Sequence, residues 1–414
     1  METDTQIGTK YKSHLDRLYN LLEDELVEEI KTMPIAEFKG EVILAKSTDD
    51  VSFIPLVIKG SMRTVRYDIY GQEVLIYDIN EMQSCIISIT SVYCPGIENG
   101  TAISNEDLVL ILIPKSKIQE WTSKYKSWVE FTFLLNEQRM NELIERNKQV
   151  SEKSKEISDS INYAQRIQNA VLPTQETISN LLPENFILFK PRDIVSGDYY
   201  WITKIQNKTV VVVADCTGHG VPGAFMSMLG ISLLNKLFTD KDDISAAKVL
   251  NLLREDVKKS LGHEMNVKDE DLPDNSELVK DGMDMAIMMF DFDSRSMQYA
   301  GAYNPFYLVR NKELLHFKGD RMPVGFHIKE SPSFTNQEVD LKKDDIIYAF
   351  SDGYVDQMDV TGSKKFMTKN FKKLLLDINH LSMEEQKDTL NAKIEEWKGD
   401  HDQIDDILVM GIKI

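Results

Sequence analysis

The chain has 414 residues, too many for one ordinary hydrophobic core, so two or three domains are expected. Apolar residues make up 42% and charged residues 28%, the profile of a soluble globular protein. The formal net charge of −19 argues against nucleic acid and anionic membrane surfaces as partners, and would concentrate divalent cations. Three cysteines, Cys85, Cys94 and Cys216, are too few for a disulfide framework. The opening METDTQIGTKYK holds no apolar signal core, and no run reaches the roughly 18 apolar residues of a membrane span, so a cytoplasmic protein is expected.

In chain order, residues 12–37 begin as an amphipathic helix with Leu15, Leu18, Leu21, Leu22, Leu26 and Ile30 on one side. From Gly40 to Pro114 short strands follow: EVILAK, SFIPLVIKG, MRTVRYDI, EVLIYDI, CIISIT and LVLILIP. Turns at Gly60, Gly71 and Pro95-Gly96 separate them. This pattern predicts a small β-barrel or jelly roll, then a helix from Ser116. Residues 126–173 form a helical linker. Met140, Leu143, Val150, Ile157, Ile161, Ala164 and Val171 repeat on three- and four-residue steps, with polar Asn147, Ser154 and Gln168 in the same seam. Such a stripe predicts a weakened coiled coil and a parallel homodimer; a solvated linker helix is the alternative.

Pro173 ends the helix, and residues 174–414 read as a mixed α+β domain. Strands are expected near 186–190, 198–203, 209–214, 285–291, 297–300, 306–310, 313–317, 346–350 and 406–413. Helices are expected near 222–238, 244–261, 364–377 and 382–397, the last opening on a capping box at Ser382. The acidic stretch 262–283 reads as a surface loop.

Four acidic residues stand at the ends of apolar runs: Asp198, Asp215, Asp352 and Asp405. Strand ends can gather carboxylates from distant parts of a sequence, and clustered like charges repel unless cations lie between them. Oxygen-only ligation suits Mg²⁺ or Mn²⁺, and two such ions can hold a phosphoryl group and an attacking water. Any one of these aspartates alone would read as a turn or cap residue. Residues 218–223, GHGVPG, match a dinucleotide-binding fingerprint. Asp215 at the strand end would repel pyrophosphate, however, and two helices follow where a parallel strand is required. Cys216 with His219 does not form a cysteine-phosphatase loop, because no Cys-x5-Arg is present.

The segments SGDYYW, ADCTGHGVPGAFMSMLG, DGMDMAIM, AGAYNP, MPVG, FSDGYVD and DDILVMGI occur in this order between 196 and 412. They resemble the motifs of bacterial PPM (PP2C-like) serine/threonine phosphatases of the SpoIIE and RsbU type. The resemblance implies an αββα sandwich that removes phosphate from serine or threonine of a protein. By the same resemblance Asp215 would bridge two Mn²⁺ or Mg²⁺ ions, and with Asp352 would be essential for catalysis. Asp352 and Asp405 would complete one metal site; Asp198 and the backbone carbonyl of Cys216 would hold the other. Asp284 stays open between a further metal site and a strand-entry residue. His219 is open between a proton donor and a turn residue, and Asn304 between a substrate contact and a turn. A phosphorylated STAS-type anti-anti-sigma protein is the implied substrate, and a non-catalytic scaffold is the competing reading.

Residues 1–125 resemble the Crp/Fnr-type cyclic-nucleotide-binding sensor in FKGEVILAK and FIPLVIKGSMRTVRYDIYGQEVLIYDI. The stretch that would hold a cyclic phosphate, NEMQSCIISITSVYCPGIENGTAIS, carries no basic residue, so a different ligand or none is expected. No DNA-reading helix-turn-helix follows. The combined expectation is a sensor, a relay helix and a phosphatase.

Overall fold

A computed structural model of the chain describes residues 11–49, 52–68, 71–92, 100–239, 244–262, 281–327 and 331–414. Cys94, the Pro95-Gly96 turn and most of the acidic stretch 262–283 lie outside them. The chain divides into two compact units, residues 1–153 and 154–414.

The first unit opens with helices Lys12–Tyr19 (α1) and Asp24–Ile30 (α2), followed by strand Ile35–Phe38 (β1). The single helix expected over 12–37 is thus two helices and a strand. Glu23 interrupts it in extended conformation, its N–H donating to Ser127 Oγ at 3.0 Å. Strands Ile43–Ala45 (β2), Phe53–Lys59 (β3), Met62–Tyr67 (β4) and Glu73–Ile79 (β5) follow.

The segment CIISIT, expected as a strand, is instead helix Ile86–Ser91 (α3). It has no period-2 alternation, and Cys85 caps it by accepting the Ser88 N–H on Sγ. The ladder is supplied by Thr101–Ser104 (β6) and Leu108–Pro114 (β7). The strands form two sheets, β1-β7-β3 and β2-β6-β4-β5, and no hydrogen-bonded ladder among the described residues closes them into a barrel. Helix Lys115–Lys124 (α4) completes the unit. Leu18, Leu26, Leu56, Ile111, Trp121 and Trp128 share one core.

Helix Lys126–Val171 (α5) begins in one unit and ends in the other. Its apolar stripe is bare in the single chain: Val150 is 66% and Ile157 61% exposed. Gln168, expected in that seam, is buried instead.

The second unit contains helix Gln175–Leu181 (α6) and strands Asn185–Lys190 (β8), Tyr199–Ile205 (β9) and Lys208–Cys216 (β10). Helices Gly220–Thr239 (α7) and Ala246–Ser260 (α8) follow, then strands Gly282–Asp291 (β11), Ser296–Ala302 (β12), Phe306–Arg310 (β13), Glu313–Phe317 (β14), Val324–Gly325 (β15), Gln337–Asp340 (β16) and Ile346–Phe350 (β17). Helices Gly353–Asp356 (α9), Thr368–Ile378 (α10) and Met383–Lys398 (α11) and strand Ile407–Lys413 (β18) close the chain. One sheet runs β16-β12-β11-β10-β9, with β15 paired to β11; the other runs β14-β13-β17-β18-β8.

Alternation along the strands explains the layering. Val211 and Val213 of β10 meet Phe306, Ile347 and Met410 between the sheets. Val210, Val212 and Ala214 face Leu234, Leu250 and Leu253 of α7 and α8. Tyr348 and Val409 pack on Phe371 and Leu390 of α10 and α11. The result is two antiparallel sheets face to face with a helix pair on each outer side. Helix α7 is long and apolar enough to cross a membrane by composition, but its buried face belongs to this core.

Candidate active site

Five carboxylates at the ends of strands of the two sheets lie within electrostatic reach of one another. Strand β10 is buried on both faces, and Asp215 is its first acidic residue, one step before its end. In the antiparallel register Asp215 lies directly opposite Asp284 of β11. Like charges so placed are destabilising unless something neutralises them. Asp352 follows β17, and its backbone N–H and carboxyl both hydrogen-bond the Asp215 carboxylate. Asp405 lies two residues before β18, and Asp198 immediately precedes β9.

Asp198 is 1% exposed, and its Oδ2 accepts the Ser351 hydroxyl at 2.5 Å. Ser351 is fixed in turn by β18, its Oγ accepting the Leu408 N–H at 3.0 Å. Asp406, 3% exposed, has a different role from its neighbour. Its two oxygens accept the N–H groups of Arg192 and Gly197, both at 2.7 Å, and its own N–H donates to Asp405 Oδ1 at 2.9 Å. The buried Asp406 carboxylate therefore pins the loop that delivers Asp198, and the Asp406 peptide N–H orients Asp405. Sequence reasoning misses this residue; the doublet Asp405-Asp406 is the available signal, since adjacent residues entering a strand point to opposite sides.

Gly353 begins α9 against the backbone of Asp406, where a Cβ would collide with the Asp406 carbonyl oxygen. Gly218, at φ +85°, turns the chain from β10 into α7. His219 in that turn is exposed, its Nδ1 2.9 Å from Asp193 Oδ2. Asn304 is buried and its amide donates to the Asp284 carbonyl at 3.2 Å, so it supports the strand that carries Asp284.

Burial, then neighbouring carboxylates, dominate the electrostatics. Asp198 is pushed well up by burial and then by Asp215; Asp215 is raised by burial, then by Asp352 and Asp405. Burial and Asp352 lift Asp284 to about 7. Asp352 and Asp405 are raised for the same first reason. Among the described residues none of the five makes an ion pair. The Cys216 thiol is buried and pushed up by desolvation and the same aspartates, which makes it a poor nucleophile. Its carbonyl oxygen lies against Gly197, next to Asp198.

At its far end α5 enters this neighbourhood. Gln168 is 4% exposed; its Nε2 donates to the Ser196 carbonyl at 2.6 Å and to Ser227 Oγ at 2.9 Å, and its Oε1 accepts the Ser196 N–H at 3.1 Å. The linker helix is thereby fastened to the loop two residues before Asp198 and to α7.

The donor set is all oxygen and acidic, with Lys365 acting weakly on Asp352 and Arg192 and His219 on Asp405, and oxygen donors of this kind are what Mg²⁺ and Mn²⁺ take. Among the described residues no three His, Cys, Asp or Glu side chains stand gathered as an ion-holding group. Asp215 and Asp352 are hydrogen-bonded to each other instead.

Residues 206–414 match the Stage II sporulation protein E (SpoIIE) family. The SiaA-PP2C domain of Pseudomonas aeruginosa is similar in structure, with 29% identity over 63% of this chain and 98% of that one, at a TM-score of 0.55. The PP2C phosphatase domain of SpoIIE from Bacillus subtilis, with a fragment of its regulatory domain, matches at 17% identity over 56% of this chain and 63% of that one, TM-score 0.44. The RsbU and RsbW domains of Rv1364c from Mycobacterium tuberculosis match at 19% identity, 56% and 60% coverage, TM-score 0.42. No protein with a curated description matches the chain. The chain belongs to the SpoIIE family, and its C-terminal unit is a PP2C-like serine/threonine phosphatase domain.

Proposed function

We propose that this chain is a metal-dependent phosphatase acting on phosphoserine or phosphothreonine of a STAS-type protein, with residues 1–125 as its sensor and residues 126–173 as its relay. The observation that supports the metal dependence is the set of five buried or half-buried carboxylates at the sheet ends, each raised by burial and most of them by one another. Asp215 would be shared between two Mg²⁺ or Mn²⁺ ions, Asp352 and Asp405 would serve one, and Asp198 with the Cys216 carbonyl would serve the other; Asp284 would assist. When bound, such ions neutralise a phosphoryl group and lower the pKa of an attacking water.

The protein's own part is positioning. Ser351 and Asp406 fix Asp198 and Asp405 through β18, so the two sheets set the spacing of the carboxylates. With Cys216 buried and protonated, no side chain is offered for a covalent phospho-enzyme. His219, its Nδ1 paired with Asp193 Oδ2, is an exposed imidazole in the turn that follows β10. Resemblance to RsbU-type activators of partner switching supports the STAS-type substrate. The bare stripe of α5 supports a homodimer, since a second copy would bury Val150 and Ile157. A cytoplasmic location accords with an acidic chain of this composition.

Hydrolysis of a phosphoserine-bearing STAS-type protein, or an aryl phosphate, by the full chain tests the reading. Turnover should require Mn²⁺ or Mg²⁺ and vanish in Asp352→Asn. Metal binding without turnover on either substrate would leave the scaffold reading in its place.

A further inference from the structure

The N-terminal unit holds a cavity of about 230 Å³ between its two sheets. Its walls are mainly apolar: Leu44, Met62, Ala102, Leu110 and Leu112 come from strands of both sheets. Leu44, Ala102 and Leu112 belong to the interior cluster of this sandwich yet are only partly buried, because they border open space instead of packing on one another. Apolar walls left without packing partners lower the stability of the unit.

Charge identifies what would fill it. Lys115, the first residue of α4, lines the cavity. Its helix neighbours are committed: Lys117 pairs with Glu29 and Glu120, and Lys124 with Glu29. Arg63 of β4 is likewise tied to Glu41 and Glu73. Among the described residues Lys115 alone of these cations has no carboxylate partner, in a chain of net charge −19. A second polar group in the wall, Thr64 Oγ1, is buried and has no hydrogen-bond partner among the described residues.

One unpaired ammonium at an apolar chamber suits one negative charge on an apolar body. A phosphate would ask for more donors than the lining supplies, since among the described residues no arginine borders the cavity. We infer that the N-terminal unit binds a hydrophobic monocarboxylate, its chain between the sheets and its carboxylate on Lys115.

Titration calorimetry of the full chain with decanoate tests this, with 1-decanol and decylammonium as controls of equal length. Decanoate should bind one to one, and decanol about tenfold more weakly, the worth of a charge-assisted contact. Decylammonium should not bind. Lys115→Gln should bring decanoate down to the level of decanol while leaving decanol unchanged. Ala102→Phe should remove both, with circular dichroism reporting on the fold; if that variant does not fold, Lys115→Gln decides alone. Equal affinity for decanoate and decanol, decanoate binding indifferent to Lys115→Gln, no decanoate binding by folded protein, or displacement of decanoate by cyclic AMP would each overturn the assignment.

Discussion

Glu29 in the N-terminal unit and the aspartates of the phosphatase domain show two ways of holding acidic side chains. Glu29 receives Lys124 at 2.8 Å, Tyr125 Oη at 2.6 Å, Trp121 Nε1 at 2.8 Å and Lys117 at 3.3 Å. These donors, Lys124 first, hold its carboxyl well below the usual range. Asp284 faces Asp215 across the strand, and burial with Asp352 lifts it to about 7. The first carboxylate is satisfied by its own protein and serves to tie α2 to α4. The second group accepts only a few hydrogen bonds, from Ser351, the Asp352 N–H and the Asp406 N–H, and its carboxyls raise one another. Within one chain, then, the acid given donors titrates low and the acids set among other acids titrate high.

The comparison can be broken most severely at the cluster. Asp215→Asn should lower phosphatase turnover by at least about 10³-fold while leaving the domain folded, as judged by circular dichroism. A variant retaining most of its activity would show that the cluster is not the catalytic centre. Gly353→Ala should destabilise the domain by about 3 kcal/mol in denaturant unfolding, because the new methyl meets the Asp406 backbone, which cannot retreat without disturbing Asp405.

The pH response sharpens the contrast. A carboxyl raised on folding gives stability that is present below its unfolded value, about 4, and lost as pH rises through its folded value. For Asp284 that window ends near 7. With metal chelated, the melting temperature of the phosphatase domain should fall between about pH 5 and 7.5, and Mg²⁺ should restore it at the upper end. Glu29, lowered on folding, acts in the other sense: its contribution is present above the ordinary carboxylate range and is lost only as pH falls below it. The N-terminal unit should hold level over the same interval. Smallest of all, Glu29→Gln should cost that unit about 1 kcal/mol, since the site is partly open to solvent and two neutral donors keep a partner.

Much of the phosphatase domain is legible in the sequence because its strands are long, apolar and separated by glycine turns; the expected strand at 209–214 lies within Lys208–Cys216. Strands β15 and β16 are not, being two and four residues long. The short helix α3 escapes notice because its start depends on a cysteine cap, an uncommon signal. The sequence also exposes Asp198, Asp215, Asp352 and Asp405 as strand-end acids. Ser351 and Asp406, by contrast, act through bonds to Asp198 and Arg192, which lie 153 and 214 positions away. Such bonds leave no local pattern. The cavity beside Lys115 leaves none either, since it is made by side chains that fail to meet.

The anchoring of Gln168 fixes where this protein can be cut and rejoined. A proline at 173 looks like a natural seam, yet severing the chain there would strip the Ser196 peptide of the Gln168 amide that meets both its N–H and its carbonyl, and Ser227 of one partner. A transplantable catalytic module must therefore carry the last turns of the helix with it. Gene fusions that swap one N-terminal unit for another would have to join upstream of residue 168, along the exposed stretch where Val150 and Ile157 stand bare.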